Sequence, residues 1–146
     1  MRKIYLSFVI VLIVFLSGCG AVSAPQTPPE MPVPLSGHAA LHCGGDVFAA
    51  DFLFDGECSR FTLTSPARLV SVSLVCDASG GRMEKQSVRA DLPRQSAFYK
   101  LHDALRSIRA GSFQDAEVDD STGRPTRVPL GKDDFALLEY PEPVTQ

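Results

Sequence analysis

The sequence predicts an α+β fold in which one main helix packs on a curved antiparallel sheet. Between residues 45 and 88, apolar side chains alternate with polar ones along short segments, which is typical of half-buried strands. Between residues 96 and 109 the apolar period changes to three and four, which indicates an amphipathic helix. Short alternating segments return after residue 112. Strands therefore flank a single helix in the sequence, and a sheet covered by that helix is expected.

The first predicted hairpin joins residues 45–54 to residues 57–64. The Asp55-Gly56 pair between them accepts the positive φ values of a two-residue type I′ turn. Alternation predicts which side chains face the core of the domain. These are Phe48, Ala50, Phe52, Phe54, Phe61 and Leu63.

Two further strands are predicted over residues 69–77 and 82–88, with a turn at residues 78–81 between them. In the first of these strands, alternation directs four side chains inward. They are Val70, Val72, Leu74 and Cys76.

The helix is predicted over residues 96–109, with Ser96 as its N-cap and Gly111 at its C-terminal cap. Its apolar face is formed by Phe98, Leu101, Leu105 and Ile108. Two or three short strands are expected after it, over residues 113–118, 127–130 and 134–140.

The N-terminus has the features of an export signal. An apolar run of 13 residues follows Arg2 and Lys3. It is shorter than the roughly 20 residues of a membrane-spanning helix and fits the core of a signal peptide. The segment Leu16-Ser17-Gly18-Cys19 resembles the lipobox of bacterial lipoproteins. That resemblance implies a signal peptide over residues 1–18 and a lipoprotein carrying fatty acyl chains such as palmitate on Cys19, outside the cytoplasm, at the cell membrane or outer membrane.

Residues 19–35 are expected to be a proline-rich tether that begins at the lipidated Cys19. In polyproline II geometry such a segment could hold a domain roughly 50 Å from the bilayer. We expect no fixed fold in it, and we expect the folded domain to occupy residues 36–146.

The charge of the mature chain disfavours nucleic acid as a partner. Removing Arg2 and Lys3 leaves 12 basic against 17 acidic residues, a net charge of −5. The remaining arginines are scattered among acids, whereas a nucleic-acid-binding module shows a basic stripe.

Several motifs follow one another in a particular order along the predicted domain. Ser36-Gly37 precedes two strands, Leu63-Thr64-Ser65-Pro66 closes the second, and an acidic strand after the helix leads into residues 120–125. This order resembles that of the Lol-type superfamily of lipoprotein carriers and receptors. This resemblance implies an incomplete antiparallel β-barrel with the helix on its concave side. It also implies a non-catalytic protein that binds a hydrophobic ligand or a protein of the envelope.

If that resemblance holds, apolar side chains would line a cleft between sheet and helix. The candidate ligand-binding residues are Phe48, Phe52, Phe54, Phe61, Leu63, Val72, Leu74, Phe98, Leu101 and Leu105. The alternative is that they close on one another as a solid core. A domain of this size has little apolar surface to spare, which favours the solid core.

Three cysteines remain after lipidation of Cys19, so at least one of them cannot pair within a monomer. A bridge between Cys43 and Cys76 is favoured over one with Cys58, because Cys43 and Cys76 fall on apolar faces. Free thiols in a reducing habitat are the equal alternative.

No metal site, cofactor or catalytic motif is predicted. His38 and His42 lie roughly 13 Å apart along one strand, too far apart for one metal ion. His102 is expected to be solvated on the helix. The acidic residues Glu117, Asp119 and Asp120 lack the pattern of a calcium loop and are expected to be a solvated strand end.

A second function is suggested by a segment before the first predicted hairpin and by a loop after it. Leu41-His42-Cys43, a strand pair and the loop at residues 78–82 are similar to the small lipoprotein inhibitors of C-type lysozyme. In that family a Ser-Gly loop enters the lysozyme cleft, so Ser79 and Gly80 would be the contact residues. An ordinary hairpin turn is the alternative explanation for the same residues.

Overall fold

The computed structural model describes residues 29–142, which form one antiparallel sheet with one α-helix. The nine strands are β1 (Leu35–Cys43), β2 (Asp46–Phe54), β3 (Ser59–Ser65), β4 (Ser73–Asp77), β5 (Gly80–Lys85), β6 (Val88–Leu92), β7 (Glu117–Val118), β8 (Pro125–Pro129) and β9 (Phe135–Glu139). The helix α1 (Ala97–Arg109) follows β6 in the chain. The predicted combination of an antiparallel sheet with one helix is confirmed.

The sheet is open, with the order β6-β5-β4-β3-β2-β1-β9-β8-β7. The chain winds from β1 to β6 as a meander and then passes through α1. It returns on the other side of β1, where β9 pairs with β1 and β8 pairs with β9. The edges of the sheet are therefore β6 at one side and the short β7 at the other.

Helix α1 has the caps that the sequence predicts. The hydroxyl oxygen of Ser96 accepts a hydrogen bond from the backbone N–H of Tyr99 at 3.3 Å. At the other end, Gly111 has φ +70°, and its N–H donates to the carbonyl of Ile108. Ser112 N–H donates to the carbonyl of Ser107, which completes a Schellman motif.

The buried face of α1 packs on one face of the sheet and closes the core. Phe98 meets Phe61 edge to face, with ring centroids 5.3 Å apart. His102 meets Phe54 in the same manner at 6.4 Å. The core includes apolar side chains from the first and the last strand of the described residues, Leu35 of β1 and Leu138 of β9.

The hairpin between β2 and β3 is confirmed, but the predicted two-residue turn is wrong. Phe54 pairs with Ser59, so residues 55–58 form the loop. One carboxylate oxygen of Asp55 accepts from the backbone N–H groups of Glu57 and Cys58, at 3.0 and 2.8 Å. This local capping stabilises a longer loop, which the Asp-Gly signal does not distinguish from a tight turn.

The strand predicted over residues 69–77 begins later, at Ser73. A 3-10 turn, Ala67–Leu69, follows Pro66, and Ser71 has φ +67°. Ser71 N–H donates to the carbonyl of Leu63, which fixes this bend against β3. Val70 is therefore 42% exposed rather than inside, whereas Val72, Leu74 and Cys76 are buried as predicted.

The strand predicted over residues 82–88 is instead the hairpin of β5 and β6. Lys85 pairs with Val88, and Gln86, with φ +52°, and Ser87 form the turn. The segment 113–118 is also different, because the strand in it comprises Glu117–Val118 alone. The last two strands, β8 and β9, lie within two residues of their predicted bounds.

The end of the predicted tether belongs to the folded part. Strand β1 begins at Leu35, which is buried, and Met31 packs against the core. The predicted signal peptide, the predicted lipidation site Cys19 and residues 20–28 lie outside the described residues. Within residues 29–142, no helix combines the length and the apolar character needed to cross a membrane.

Candidate functional site

The structure places the residues of the predicted cleft in a solid core. Nine of the ten are buried, and Phe48 is half-buried, with its ring 6.4 Å from that of Phe98. None of the ten lines the cavities described below. With α1 docked, the concave surface that the sequence suggests is filled by the helix itself.

A cavity of about 610 Å³ lies at the C-terminal end of α1. We call it the tether groove, since one of its walls is the end of the predicted tether. This volume is within the range of small-molecule sites. It is lined by Pro29, Glu30, Met31, Ile108, Arg109, Ala110, Gly111, Phe113, Gln114, Ala116, Val118, Asp120 and Gly123.

The tether wall of the groove is held close to Gly123. A Cβ atom at this position would lie 2.7 Å from the carbonyl oxygens of both Pro29 and Glu30. Gly123 also has φ +69°, so a side chain is excluded by the backbone conformation and by the neighbouring segment. The local sequence thus requires glycine where the entering chain passes.

The opposite wall comes from the end of α1 and the irregular segment after it. Ile108, Phe113 and Ala116 are partly buried and pack against the core from this side. Val118 remains 37% exposed at the mouth. Each of these side chains also lines the groove, so part of its apolar surface faces open space.

Charged groups stand at the rim of the groove rather than inside it. Arg109 contacts the carboxylate of Glu57, with 3.5 Å between Nη1 and Oε1, and Arg106 reaches the same carboxylate at 3.7 Å. Glu30 and Asp120 are exposed on the tether side. The rim therefore carries both signs of charge, and the walls include the apolar side chains of Met31, Ile108 and Phe113.

The lining of the tether groove is suited to binding an apolar group. The side chains that line it include no Ser, Thr, Cys, His, Lys or Tyr. An apolar pocket with a few polar groups at its edge holds a ligand mainly by removing apolar surface from water.

The buried pair of Ser59 and His102 is a feature that sequence reasoning missed. His102 was expected to be solvated, but it is fully buried between Phe54 and Tyr99. Its Nδ1 is hydrogen-bonded to the hydroxyl of Ser59 at 2.8 Å. Its Nε2 has no hydrogen-bond partner.

Burial lowers the pKa of His102 below its ordinary value of 6.5. Asp103 and Arg106 on the helix, Asp77 at the end of β4 and Asp55 in the loop before β3 act on it electrostatically, and the three acids oppose the shift. The imidazole is thus held neutral beneath α1, where the pair cannot reach a substrate in solvent. We assign it a structural role.

The predicted bridge between Cys43 and Cys76 is wrong. Both are free, as is Cys58. Cys76 pairs through Ser59 and Phe54 with Leu35, which lies eight residues before Cys43 on β1, so the two thiols occupy different ends of the sheet. Burial raises the pKa of Cys76 to about 12, which keeps this thiol protonated and unreactive.

The two histidines of β1, His38 exposed and His42 half-buried, have neighbours on the outer face of the sheet. His38 Nδ1 lies 2.6 Å from Asp51, and His42 stacks on Phe135 with ring centroids 4.5 Å apart. A hollow of about 270 Å³ lies beside His38, over Ala40 and Ala49. Among residues 29–142, no three His, Cys, Asp or Glu side chains come together in a way that could hold a metal ion.

The polar loops singled out by the sequence are accounted for by turn chemistry. Asp77 accepts hydrogen bonds from both the hydroxyl and the N–H of Ser79, at 2.5 and 2.8 Å, and these lower the pKa of its carboxylate. Asp119 does the same for Ser121, which lowers its pKa to about 2. The Ser79-Gly80 loop is therefore a capped hairpin turn, and Asp119 caps the turn that leads to β8.

The chain matches no family model, and comparison with curated proteins and with solved structures gives no match.

Sequence reasoning did not identify the tether groove. Its residues come from the tether, the end of α1 and a segment expected to be a strand. A signal was present in residues 113–118, where Phe113, Ala116 and Val118 follow no regular period. Apolar residues without periodicity cannot all face one core, so some of them were candidates for an exposed site.

Proposed function

We propose that this chain is a lipoprotein of the cell envelope, anchored through Cys19, whose domain binds a hydrophobic ligand and catalyses no reaction. The observation that carries the proposal is the tether groove, a partly open cavity of about 610 Å³ with apolar side chains in its walls, at the point where the tether enters the domain. The apolar side chains of the lining, which include Met31, Ile108 and Phe113, favour an apolar occupant.

The position of the groove supports a ligand that comes from the membrane. Nine residues, 20–28, lie between Cys19 and Pro29, so ten peptide bonds connect the two. A chain of that length reaches at most about 35 Å. If Cys19 carries the lipid, the groove stays within that distance of the bilayer surface. A membrane lipid, or an apolar molecule dissolved in the bilayer, is thus always at high local concentration.

A Lol-type incomplete barrel is the finer form of the fold in this proposal. The open sheet, the helix packed on one of its faces and the order of the sequence motifs support it. Within such a fold, the ligand site would lie at the end of the helix and not beneath it, because the core beneath α1 is filled.

The anchor is tested by replacing Cys19 with alanine in the full chain. We expect the wild-type protein to fractionate with membranes and to carry fatty acyl chains detectable by mass spectrometry of its N-terminal peptide. The Cys19→Ala variant should carry none. If the wild type carries no fatty acyl chain, the anchoring part of the proposal is wrong.

The ligand site is tested by native mass spectrometry of the full-length lipidated protein released from detergent. We expect a co-purifying apolar molecule on the wild type and its loss from Phe113→Asp, which places a charge in the groove. Leu53→Asp is the matched control, since Leu53 lies on the outer face of β2 and is exposed. A bound molecule that persists in Phe113→Asp, or none on the wild type, would contradict the site.

A further inference from the structure

Strand β6 ends the sheet with an unpaired side. It is antiparallel to β5, with Lys85 opposite Val88 and Gly81 opposite Leu92, and no strand of the described chain covers its other side. Val88 is 69% exposed, and its neighbours on the strand are also exposed. An exposed edge strand is a template for pairing with another strand.

The turn before β6 determines which backbone groups face outward. A two-residue turn closes on a hydrogen-bonded pair, here Lys85 and Val88, and such pairs alternate along an antiparallel ladder. The N–H and C=O groups of Val88, Ala90 and Leu92 are therefore directed at β5. Those of Arg89 and Asp91 point away from the sheet.

The geometry points to a symmetric dimer in which β6 pairs antiparallel with β6 of a second copy of this chain, centred on Ala90. In this register, Arg89 of each copy faces Asp91 of the other. The residues with outward backbone groups thus meet as two hydrogen-bonded pairs, and Ala90 meets Ala90 between them. The strand is self-complementary, as a two-fold interface requires.

Charge favours this register across four strands. Glu84 of β5 lies opposite Arg89, with Oε1 to Nε at 3.2 Å, and Arg82 lies opposite Asp91. In the dimer, the row is Glu84, Arg89, Asp91 of the second copy and Arg82 of the second copy. Neighbouring charges alternate in sign along the whole row, and cross-strand pairs of opposite charge are stabilising.

The other face of the strand adds apolar contacts. Val88 of one copy would lie opposite Leu92 of the second, twice in the dimer. Met83, 36% exposed, pairs with Ala90 within each copy and so approaches the two-fold axis. Two exposed apolar side chains of this edge therefore gain neighbours in the same register.

Neighbouring registers lack these features. A pairing centred on Arg89 or on Asp91 would put like charges opposite each other on the axis. A pairing centred on Asp91 would also place Pro93, which has no N–H, opposite Arg89. With Ala90 at the centre, opposite charges face each other and the outward backbone groups of the two copies form hydrogen-bonded pairs.

A five-residue strand gives a small interface, so the dimer should be weak in dilute solution. Attachment of both copies to one membrane would raise their effective concentration. The dimer itself does not depend on the tether groove, and its test is separate from that of the proposed function.

The charge pattern gives a test with an internal control, measured by analytical ultracentrifugation of the full chain in detergent over a range of concentrations. We expect the wild type to dimerise. Asp91→Lys and Arg89→Glu should each weaken the dimer about tenfold or more, since each puts like charges opposite each other twice. An equimolar mixture of the two variants should recover the dimer, because the mixed pair again matches opposite charges. Recovery also shows that β6 still forms in both variants.

The register is tested by a cysteine at the two-fold axis. Facing residues of a non-hydrogen-bonded pair have Cα atoms about 4.5 Å apart, which permits a disulfide. Under diamide in membranes, Ala90→Cys should yield a covalent dimer, whereas the wild type and Ser87→Cys should stay monomeric. A wild type that is monomeric at every concentration, together with no cross-linking of Ala90→Cys, would overturn the inference. A dimer unaffected by Asp91→Lys would also overturn it, since the interface would then lie elsewhere.

Discussion

The space beneath α1 and the space beyond its C-terminal end differ in how completely side chains fill them. Along its length, the helix presents Phe98, Leu101 and Leu105 to the sheet, and all three are buried. Beyond Arg109 the chain leaves the helix, and the apolar side chains that follow border the tether groove. Both regions are apolar, but only the second, within the described chain, leaves space for a molecule of ligand size.

This difference follows from the regularity of the elements. A helix and a strand each present side chains at fixed intervals, so their apolar faces interdigitate without gaps. The segment from Gly111 to Gly123 has one two-residue strand and no helix, so its side chains do not form a continuous face. The open space of the domain lies where periodic structure ends.

The largest expected effect comes from removing a ring beneath the helix. Phe54 is fully buried, so Phe54→Ala should lower the free energy of unfolding by about 3–5 kcal/mol. Phe113→Ala, which removes the same ring at the groove, should cost less than half of that. Urea denaturation of both variants checks the prediction, and equal losses would show that Phe113 belongs to the core.

The wall of the tether groove formed by Pro29 and Glu30 depends on the absence of a side chain at Gly123. An alanine there would be strained at φ +69° and would collide with the tether carbonyls, so Gly123→Ala should cost about 2–4 kcal/mol and weaken ligand binding. Gly111→Ala is the control. It has the same sign of φ with nothing within 4 Å of the added Cβ, so it should cost about 1–2 kcal/mol. If the two variants are equally stable, the tether does not pack as described.

The buried polar pair should contribute a smaller amount. Ser59→Ala leaves Nδ1 of His102 without its partner in the core, and this should cost about 1–3 kcal/mol. Chemical denaturation at pH 8 measures it with the imidazole neutral. A neutral effect would mean that His102 does not depend on Ser59.

The dependence on pH should be the mildest of these effects, because Asp103, Asp77 and Asp55 partly offset the cost of charging His102. The folded state holds the pKa of His102 below the ordinary 6.5, so the unfolded chain binds more protons. The stabilising contribution of the neutral imidazole is fully present above pH 6.5. It decreases as pH falls toward the folded-state pKa.

His102→Gln should remove this part of the pH dependence while leaving the response of the surface carboxylates. Melting temperatures of both proteins between pH 8 and pH 5 test the sign. A wild-type domain that becomes more stable than the variant on acidification would contradict it.

Most of the fold could be predicted from the sequence, because strand alternation, helix periodicity and helix caps are all local features. Ser96 and Gly111 set the ends of α1, and alternation identified the inward residues of β2, β3 and β4. Contacts between residues that are far apart in the sequence could not be predicted in this way. His102 was expected to be solvated beside Asp103 because no local feature of the sequence shows that it packs against Ser59 of β3. The groove depends on three segments that meet only in the folded chain.

The most direct test of the account is to locate where an apolar ligand binds. The full-length protein in lipid nanodiscs would be irradiated with a long-chain alcohol carrying a diazirine, and the labelled peptides identified by mass spectrometry. Labels on residues 108–118 and 29–31 are predicted. Labels on the peptides of Phe61 or Leu101, or none above the level of Phe113→Asp, would contradict a binding site in the tether groove.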